Sequence, residues 1–135
     1  MSKKPIKAST VCLFACNDAD CYGHINNGSL PKYFDLARVH IQNIAGLSDS
    51  GLKKAYIGLF VTEASYTYRG QLFPEQEVRI DSELTFNRGA VTISHEMCLE
   101  ERIVASARTK HIFVDLRTGK AARGKGGQYA KNTHP

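Results

Sequence analysis

Residues 77–86 alternate without a break. Val78, Ile80, Ser82, Leu84 and Phe86 fall on one side, and Glu77, Arg79, Asp81, Glu83 and Thr85 on the other. A period of two is that of a β-strand with one face buried. Asn87-Arg88-Gly89 supplies a turn. The alternation resumes with Val91, Ile93, His95, Met97 and Leu99 opposite Thr92, Ser94, Glu96 and Glu100. Glu101-Arg102 makes the next turn, residues 103–116 read as another long strand, and Thr118-Gly119 closes it. Residues 6–14 and 59–68 are rich in β-prone side chains and predict two further strands.

Between those two strands the period changes. Leu30, Tyr33, Phe34, Ala37, Ile41, Ile44 and Ala45 recur at steps of three and four, the spacing of a helix face. Leu36 and Val39 widen that stripe, which suits a helix largely enclosed by protein. Pro31 stands near the start, where its missing N–H costs little, and Gly46 is a plausible stop. Strand, helix, then four consecutive hairpin-linked strands predict an α+β domain with an antiparallel sheet. The helix stripe and the apolar sheet face each need a cover, and a long twisted sheet curling around one helix supplies both.

At 135 residues the chain is expected to be a single domain, large enough to bury a core. Hydrophobic content of 42% with 23% charged residues is ordinary for a globular protein. No apolar run approaches the roughly 18 residues that span a bilayer. The start, Met-Ser-Lys-Lys-Pro, lacks the apolar stretch of a secretory signal, so a cytoplasmic location is expected. Cys12, Cys16, Cys21 and Cys98 then read as free thiols. A metal set of Cys16, Asp18, Asp20 and His24 lacks paired ligand spacing and mixes soft with hard donors, so no metal or other cofactor is expected. The net charge is +5. Lys120, Arg123, Lys125 and Lys131 lie among Gly and Ala in what reads as a basic, flexible tail over about residues 120–135. No aromatic platform accompanies the charge, which disfavours nucleic acid and suits a polyanionic small molecule.

The chemistry concentrates in Asp18-Ala-Asp20-Cys-Tyr-Gly23-His-Ile-Asn26-Asn27, immediately before the helix. A carboxylate beside a helix N-terminus pairs a base or nucleophile with donors for a developing oxyanion. The plainer alternative is that Asp18 and Asp20 form turns and that Asn26 or Asn27 caps the helix.

This segment, with Tyr33-Phe34-Asp35 and Arg38 after it, resembles the signature of the 4-hydroxybenzoyl-CoA thioesterase-like branch of the hotdog superfamily. That signature reads D-x-D-x-x-G-H-V-N-N, an aromatic, then Y-F/L-E-x-A-R. Leu30 stands where an aromatic is common, and Asp35 replaces the usual Glu. The resemblance runs on through Tyr66 to Phe73 and Val114-Asp115-x-x-Thr118-Gly119, covering about residues 6–120. It implies a hotdog fold, one long helix wrapped by a curved antiparallel sheet, in a homodimer or a tetramer. It also implies hydrolysis of an acyl-CoA to free acid and coenzyme A.

Carried over residue by residue, the resemblance makes Asp20 the catalytic carboxylate, acting as nucleophile or as base toward water. Backbone at Gly23, Asn27 and Gly28 falls at the oxyanion position, while Asp18, His24 and Asn26 support the loop. Asp18 is expected to hold it through backbone N–H bonds. Arg88 at a hairpin tip, and Arg108 and Lys110 on the strand face opposite Ala107 and Thr109, are candidates for coenzyme A phosphates. His40, His95 and His111 read as packing or surface positions. No Gly-x-Ser-x-Gly elbow exists for a serine triad. Hotdog hydratases related to the MaoC hydratases carry an acid and a histidine with four residues between them, whereas Asp18 leaves five before His24 and Asp20 leaves three. The acyl group itself is open; an acyl-carrier-protein thioester, or binding without hydrolysis, are the alternatives.

Overall fold

The computed structural model describes residues 4–122. Strand β1 (Ile6–Leu13) leads into a loop bracketed by two 3₁₀ turns, Cys16–Asp18 and Asn27–Ser29. Helix α1 (Leu30–Ile44), a short helix α2 (Asp49–Lys54) and strands β2 (Ile57–Tyr68), β3 (Glu77–Asn87), β4 (Ala90–Leu99) and β5 (Arg102–Asp115) follow. The strands form one antiparallel sheet in the order β1-β3-β4-β5-β2.

The predicted strands and long helix are all present, but one connection differs. β3, β4 and β5 are joined by tight turns, the first with Arg88 and Gly89 both at positive φ (39° and 81°), as a type I′ hairpin requires. β2 is not a hairpin partner of β3. Residues 69–76 are too long for a tight turn, and their backbone is bonded to the loop before α1. Ile25 N–H donates to Leu72 O, Phe14 N–H to Gln76 O and Glu75 N–H to Phe14 O. β2 crosses to the far side and pairs with β5, leaving the edge of β3 to β1.

α1 lies on the inner face of the sheet against β1, β3 and β4. Tyr33, Phe34, Ala37 and Ile41 are buried there, and each large side chain contributes roughly 1.5–3 kcal/mol of transfer free energy. Leu36 and Val39, expected to be enclosed, are instead 53% and 42% exposed. The sheet covers one face of the helix, and no other described element lies over the opposite one. α2 has too few residues to show a period; Ser48 Oγ caps it by accepting from Gly51 N–H (3.2 Å), and buried Leu47 and Leu52 anchor it.

The core is two apolar clusters. One gathers Phe14, Tyr33, Phe34, Ile80, Met97 and Ala107; the other gathers Ile41, Leu84, Ile93 and Phe113. Between them runs a belt of buried polar side chains: Ser82 on β3, His95 on β4, and Thr109 and His111 on β5. Gln42 from α1 is buried as well. Toward the far edge, β2 is exposed along most of its length. After β5 the chain folds back, with Ala122 buried and its N–H bonded to Phe113 O. The rest of the expected basic tail, from residue 123 on, lies outside the described residues. One long helix on one face of a five-stranded antiparallel sheet is the hotdog arrangement.

Candidate active site

The loop before α1 is a small closed unit. Ala19 and Ile25 form an antiparallel bridge. Asp20 N–H donates to His24 O (2.7 Å), Asn26 N–H to Asp18 O (2.9 Å) and Gly23 N–H to Asp20 O (3.0 Å). Gly23 makes the reversal at φ +80°, a conformation that strains any residue with a Cβ. The His24 ring sets its edge on Phe73, centroids 5.0 Å apart, which ties the loop to residues 69–76.

Within this loop the two acids meet opposite surroundings. Asp18 is buried, and both its oxygens are taken: Lys32 Nζ donates to them at 2.7 and 2.8 Å, and the Tyr33 hydroxyl donates to Oδ2. Those bonds hold the Asp18 carboxyl below the usual carboxylate range and raise Lys32. Burial, then the bond to Asp18, raises the Tyr33 hydroxyl. Tyr33 Oη also accepts from Ala15 N–H (2.9 Å), so Asp18 clamps the entrance of the loop to the first turn of α1. Asp18 was expected to accept backbone N–H bonds. The structure gives that part to Asp20, because Lys32 and Tyr33, one helical turn beyond the loop, reach Asp18 first.

Asp20 is exposed. Its Oδ1 accepts from Tyr22 N–H (2.9 Å) and His24 N–H (3.1 Å), while Oδ2 has no partner among the described residues. One oxygen therefore fixes the carboxylate and the other keeps its lone pairs. Such a group can attack a carbonyl carbon or draw a proton from water.

At the helix start, Asn26 Oδ1 caps the 3₁₀ turn by accepting from Gly28 N–H (3.0 Å), and Ser29 N–H donates to Asn26 O. Asn27 N–H has no acceptor among the described residues. Of the three backbone positions predicted as oxyanion donors, Gly23 is thus tied to its turn, Gly28 to its cap, and Asn27 is open. A Cβ built at Gly28 would come no closer than 3.5 Å to any atom, so the fold itself does not demand glycine there.

Arg88 lines one groove on the outer face of the sheet with Arg108 and Lys110, twenty and more positions on, together with Glu63, Ser65 and Thr92. Arg88 holds its place at φ 39°, a conformation that costs a non-glycine residue free energy.

The belt escaped the sequence reading of function. His95 Nδ1 lies 2.7 Å from Ser82 Oγ and His111 Nε2 lies 2.9 Å from Thr109 Oγ1; His111 Nδ1 has no partner. Burial pushes both imidazoles down to about 4. Their signal was present: Ser82, His95, Thr109 and His111 occupy inward positions of otherwise apolar alternations. Lys32 carried none, because its partner lies fourteen positions away. His40 is exposed, with Nδ1 2.9 Å from Thr10 Oγ1. All four cysteines are free, Cys16 and Cys21 exposed. Among the described residues no three His, Cys, Asp or Glu side chains gather as metal ligands, and no helix is long and apolar enough to cross a membrane.

A hotdog domain with an acidic, backbone-braced loop at the start of its helix has the build of a thioester hydrolase. The sequence comparison agrees: the Thioesterase-like superfamily matches residues 14–126, and the chain belongs to that family. No curated protein matches it. Among solved structures it resembles the DHNA-CoA thioesterase from Staphylococcus aureus, with 20% identity over 93% of this chain and 89% of that one, and a TM-score of 0.81. It also resembles the BH1999 gentisyl-coenzyme A thioesterase, with 18% identity, 93% and 100% coverage, and a TM-score of 0.75. For the YbaW probable thioesterase from Escherichia coli the figures are 23% identity, 94% and 98% coverage, and 0.76. At these identities the structures establish the fold. The family match makes this protein a thioester hydrolase.

Proposed function

We propose that the protein hydrolyses acyl-CoA thioesters in the manner of the 4-hydroxybenzoyl-CoA thioesterase-like branch, with Asp20 as the reacting carboxylate. The observation that carries this reading is the asymmetry of Asp20, whose Oδ1 is held by two backbone N–H groups while Oδ2 has no partner among the described residues, in the loop that leads into α1. Either Asp20 attacks the thioester carbon and expels the thiolate, leaving an anhydride that water opens, or it takes a proton from a water that attacks. In both cases charge develops on the carbonyl oxygen, and Asn27 N–H, at the positive end of the helix dipole, receives it. Gly28 N–H joins when the Asn26 side chain turns away, and the missing Cβ at Gly28 leaves room for the thioester. Asp18, with both oxygens engaged, positions the loop.

The coenzyme assignment rests on charge. Arg88, Arg108 and Lys110 share one groove, where their charges suit the phosphates of coenzyme A. Two structural neighbours are named for CoA thioesters of DHNA and gentisate; a third is an acyl-ACP thioesterase from Bacteroides thetaiotaomicron. The chain works as a homodimer at least: β2, twelve residues long, has no partner on its outer edge among the described residues, Phe60, Val61 and Tyr68 are exposed, and a second copy covers that edge.

The test is release of free thiol from a panel of short, long and aromatic acyl-CoA and acyl-carrier-protein substrates, with sedimentation of the same protein. Hydrolysis of CoA thioesters by a dimer is expected. Turnover of carrier-protein thioesters alone would reassign the substrate, and saturable acyl-CoA binding without thiol release would make the domain a binding module. A folded monomer with full activity would overturn the dimer.

A further inference from the structure

A second cavity, about 530 Å³, lies between α1, α2 and the near end of β2. Its walls include Leu52, Ile57, Leu59 and Phe60, and its polar lining comes from Asp35, Arg38, Asp49, Lys53 and His111. This is where the polar belt of the core meets the open side of the sheet. His111 is 1% exposed, its Nε2 is paired with Thr109, and its Nδ1 has no partner. An unpaired buried nitrogen is costly, and here it belongs to a residue that lines a cavity.

Arg38 is held with unusual care. Its Nε donates to Asp35 Oδ1 (3.4 Å), its Nη1 donates to Gln42 Oε1 and lies 3.8 Å from Asp49 Oδ2. Gln42, 1% exposed, is itself fixed through its Nε2 to Leu47 O (2.9 Å) and Asp49 Oδ1 (3.2 Å). Nη2 has no acceptor among the described residues. Arg38 stands ten positions after Gly28, roughly 15 Å at the helical rise, so an acyl group whose carbonyl meets the helix start has about that length to cover.

We propose that this cavity receives the far end of the acyl group, and that Arg38 and His111 recognise a neutral oxygen there, a hydroxyl or a keto group. The inference rests on the thioesterase reading and names its substrate class. The apolar walls take the chain. A hydroxyl accepts from Arg38 and donates to, or accepts from, His111 Nδ1, so it suits either imidazole tautomer. The charge argues against a carboxylate: Asp35 and Asp49 balance Arg38 and Lys53 in the lining, and Arg38 is already paired with both acids. A plain hydrocarbon tail would leave His111 Nδ1 unpaired. Closure of the β2 edge by a second copy would turn the open cavity into an enclosed slot.

The test compares kcat/KM for acyl-CoA substrates of six to twelve carbons with a terminal hydroxyl, a terminal carboxylate or neither, on the intact protein. The terminal hydroxyl should give about a 10- to 100-fold preference at one chain length. His111→Leu and Arg38→Lys, each confirmed folded by thermal melting, should shrink that ratio toward one; a ratio does not depend on how much protein is active. Binding gives a second readout: the hydroxy acid alone should raise the melting temperature of the parent but not of His111→Leu. Equal kcat/KM at every length, a preference that survives both variants, or a stronger preference for the carboxylate would overturn the proposal. Failure to hydrolyse any thioester would overturn the acyl-CoA reading instead, and the melting shift would still decide for or against the cavity.

Discussion

In the loop before α1, Asp20 sits in solvent and takes its geometry from the backbone N–H groups of Tyr22 and His24, two and four residues on. In the belt beneath the same helix, His95 is buried and takes its partner Ser82 from the neighbouring strand, while His111 lies one strand further with a nitrogen unpaired. The loop is a local construction whose carboxylate keeps a free oxygen. The belt is a tertiary construction whose groups are buried and fixed by the sheet register. The first arrangement suits a group that must react and the second a group that must recognise, because an unpaired polar atom is cheap in water and expensive in the core.

The largest expected effect falls on the loop. Asp20→Asn keeps size and can still accept from the two backbone N–H groups, but it loses the charge that either mechanism needs. Its kcat should fall about 10²–10⁴-fold with the melting temperature nearly unchanged. A large loss of melting temperature would mean that the loop is not the local unit described above.

Next comes acid. His95 and His111 titrate near 4 in the fold against an ordinary value of 6.5, so between those limits the unfolded chain binds more protons than the folded one. Stability therefore falls as pH drops from about 6.5 toward 4, at a steepest rate of about 1.4 kcal/mol per pH unit for each imidazole. Asp18 acts in a lower window: its carboxyl is depressed, so its contribution is lost only as pH falls through and below the ordinary carboxylate range. Urea midpoints at pH 7, 5.5 and 4.5 check the sign. A flat profile between 6.5 and 4.5 would show the belt to be solvated.

These two regions were not equally legible. Asp18, Asp20, Gly23 and Asn26 form a contiguous string whose turn and cap chemistry is written in neighbouring residues, and the loop's position before a helix followed from the period change at Leu30. The strands and α1 were legible for the same reason. The Asp18–Lys32 clamp depends on how the loop folds back on α1, and the gathering of Arg88, Arg108 and Lys110 and the joining of β2 to β5 depend on which strand lies beside which. Alternation along a single strand does not carry that. The belt was half visible, since Ser82 and His95 occupy apolar phases, but only the register brings them within 2.7 Å.

A smaller effect is expected at the clamp. Tyr33→Phe removes the acceptor of Ala15 N–H and one donor to Asp18, and should cost about 1–2 kcal/mol in urea denaturation, with a modest loss of rate because the loop entrance is less well held. The smallest effects belong to the outer groove. Alanine at Arg88, Arg108 or Lys110 should each raise KM for acyl-CoA by about two- to fivefold, less at high salt, as exposed charges act. A KM that ignores both the substitutions and the salt would remove coenzyme A from that groove.

The most direct measurement sets Asp20→Asn beside Asp18→Asn in one thiol-release assay with acyl-CoA, each variant melted in parallel. Asp20→Asn should lose the chemical step and keep its melting temperature and acyl-CoA affinity. Asp18→Asn should lose melting temperature, since Lys32 and Tyr33 lose their charged acceptor, and suffer the smaller kinetic loss. An Asp20→Asn protein that hydrolyses acyl-CoA near the parent rate while a folded Asp18→Asn protein does not would contradict the account and move the chemistry to the buried acid.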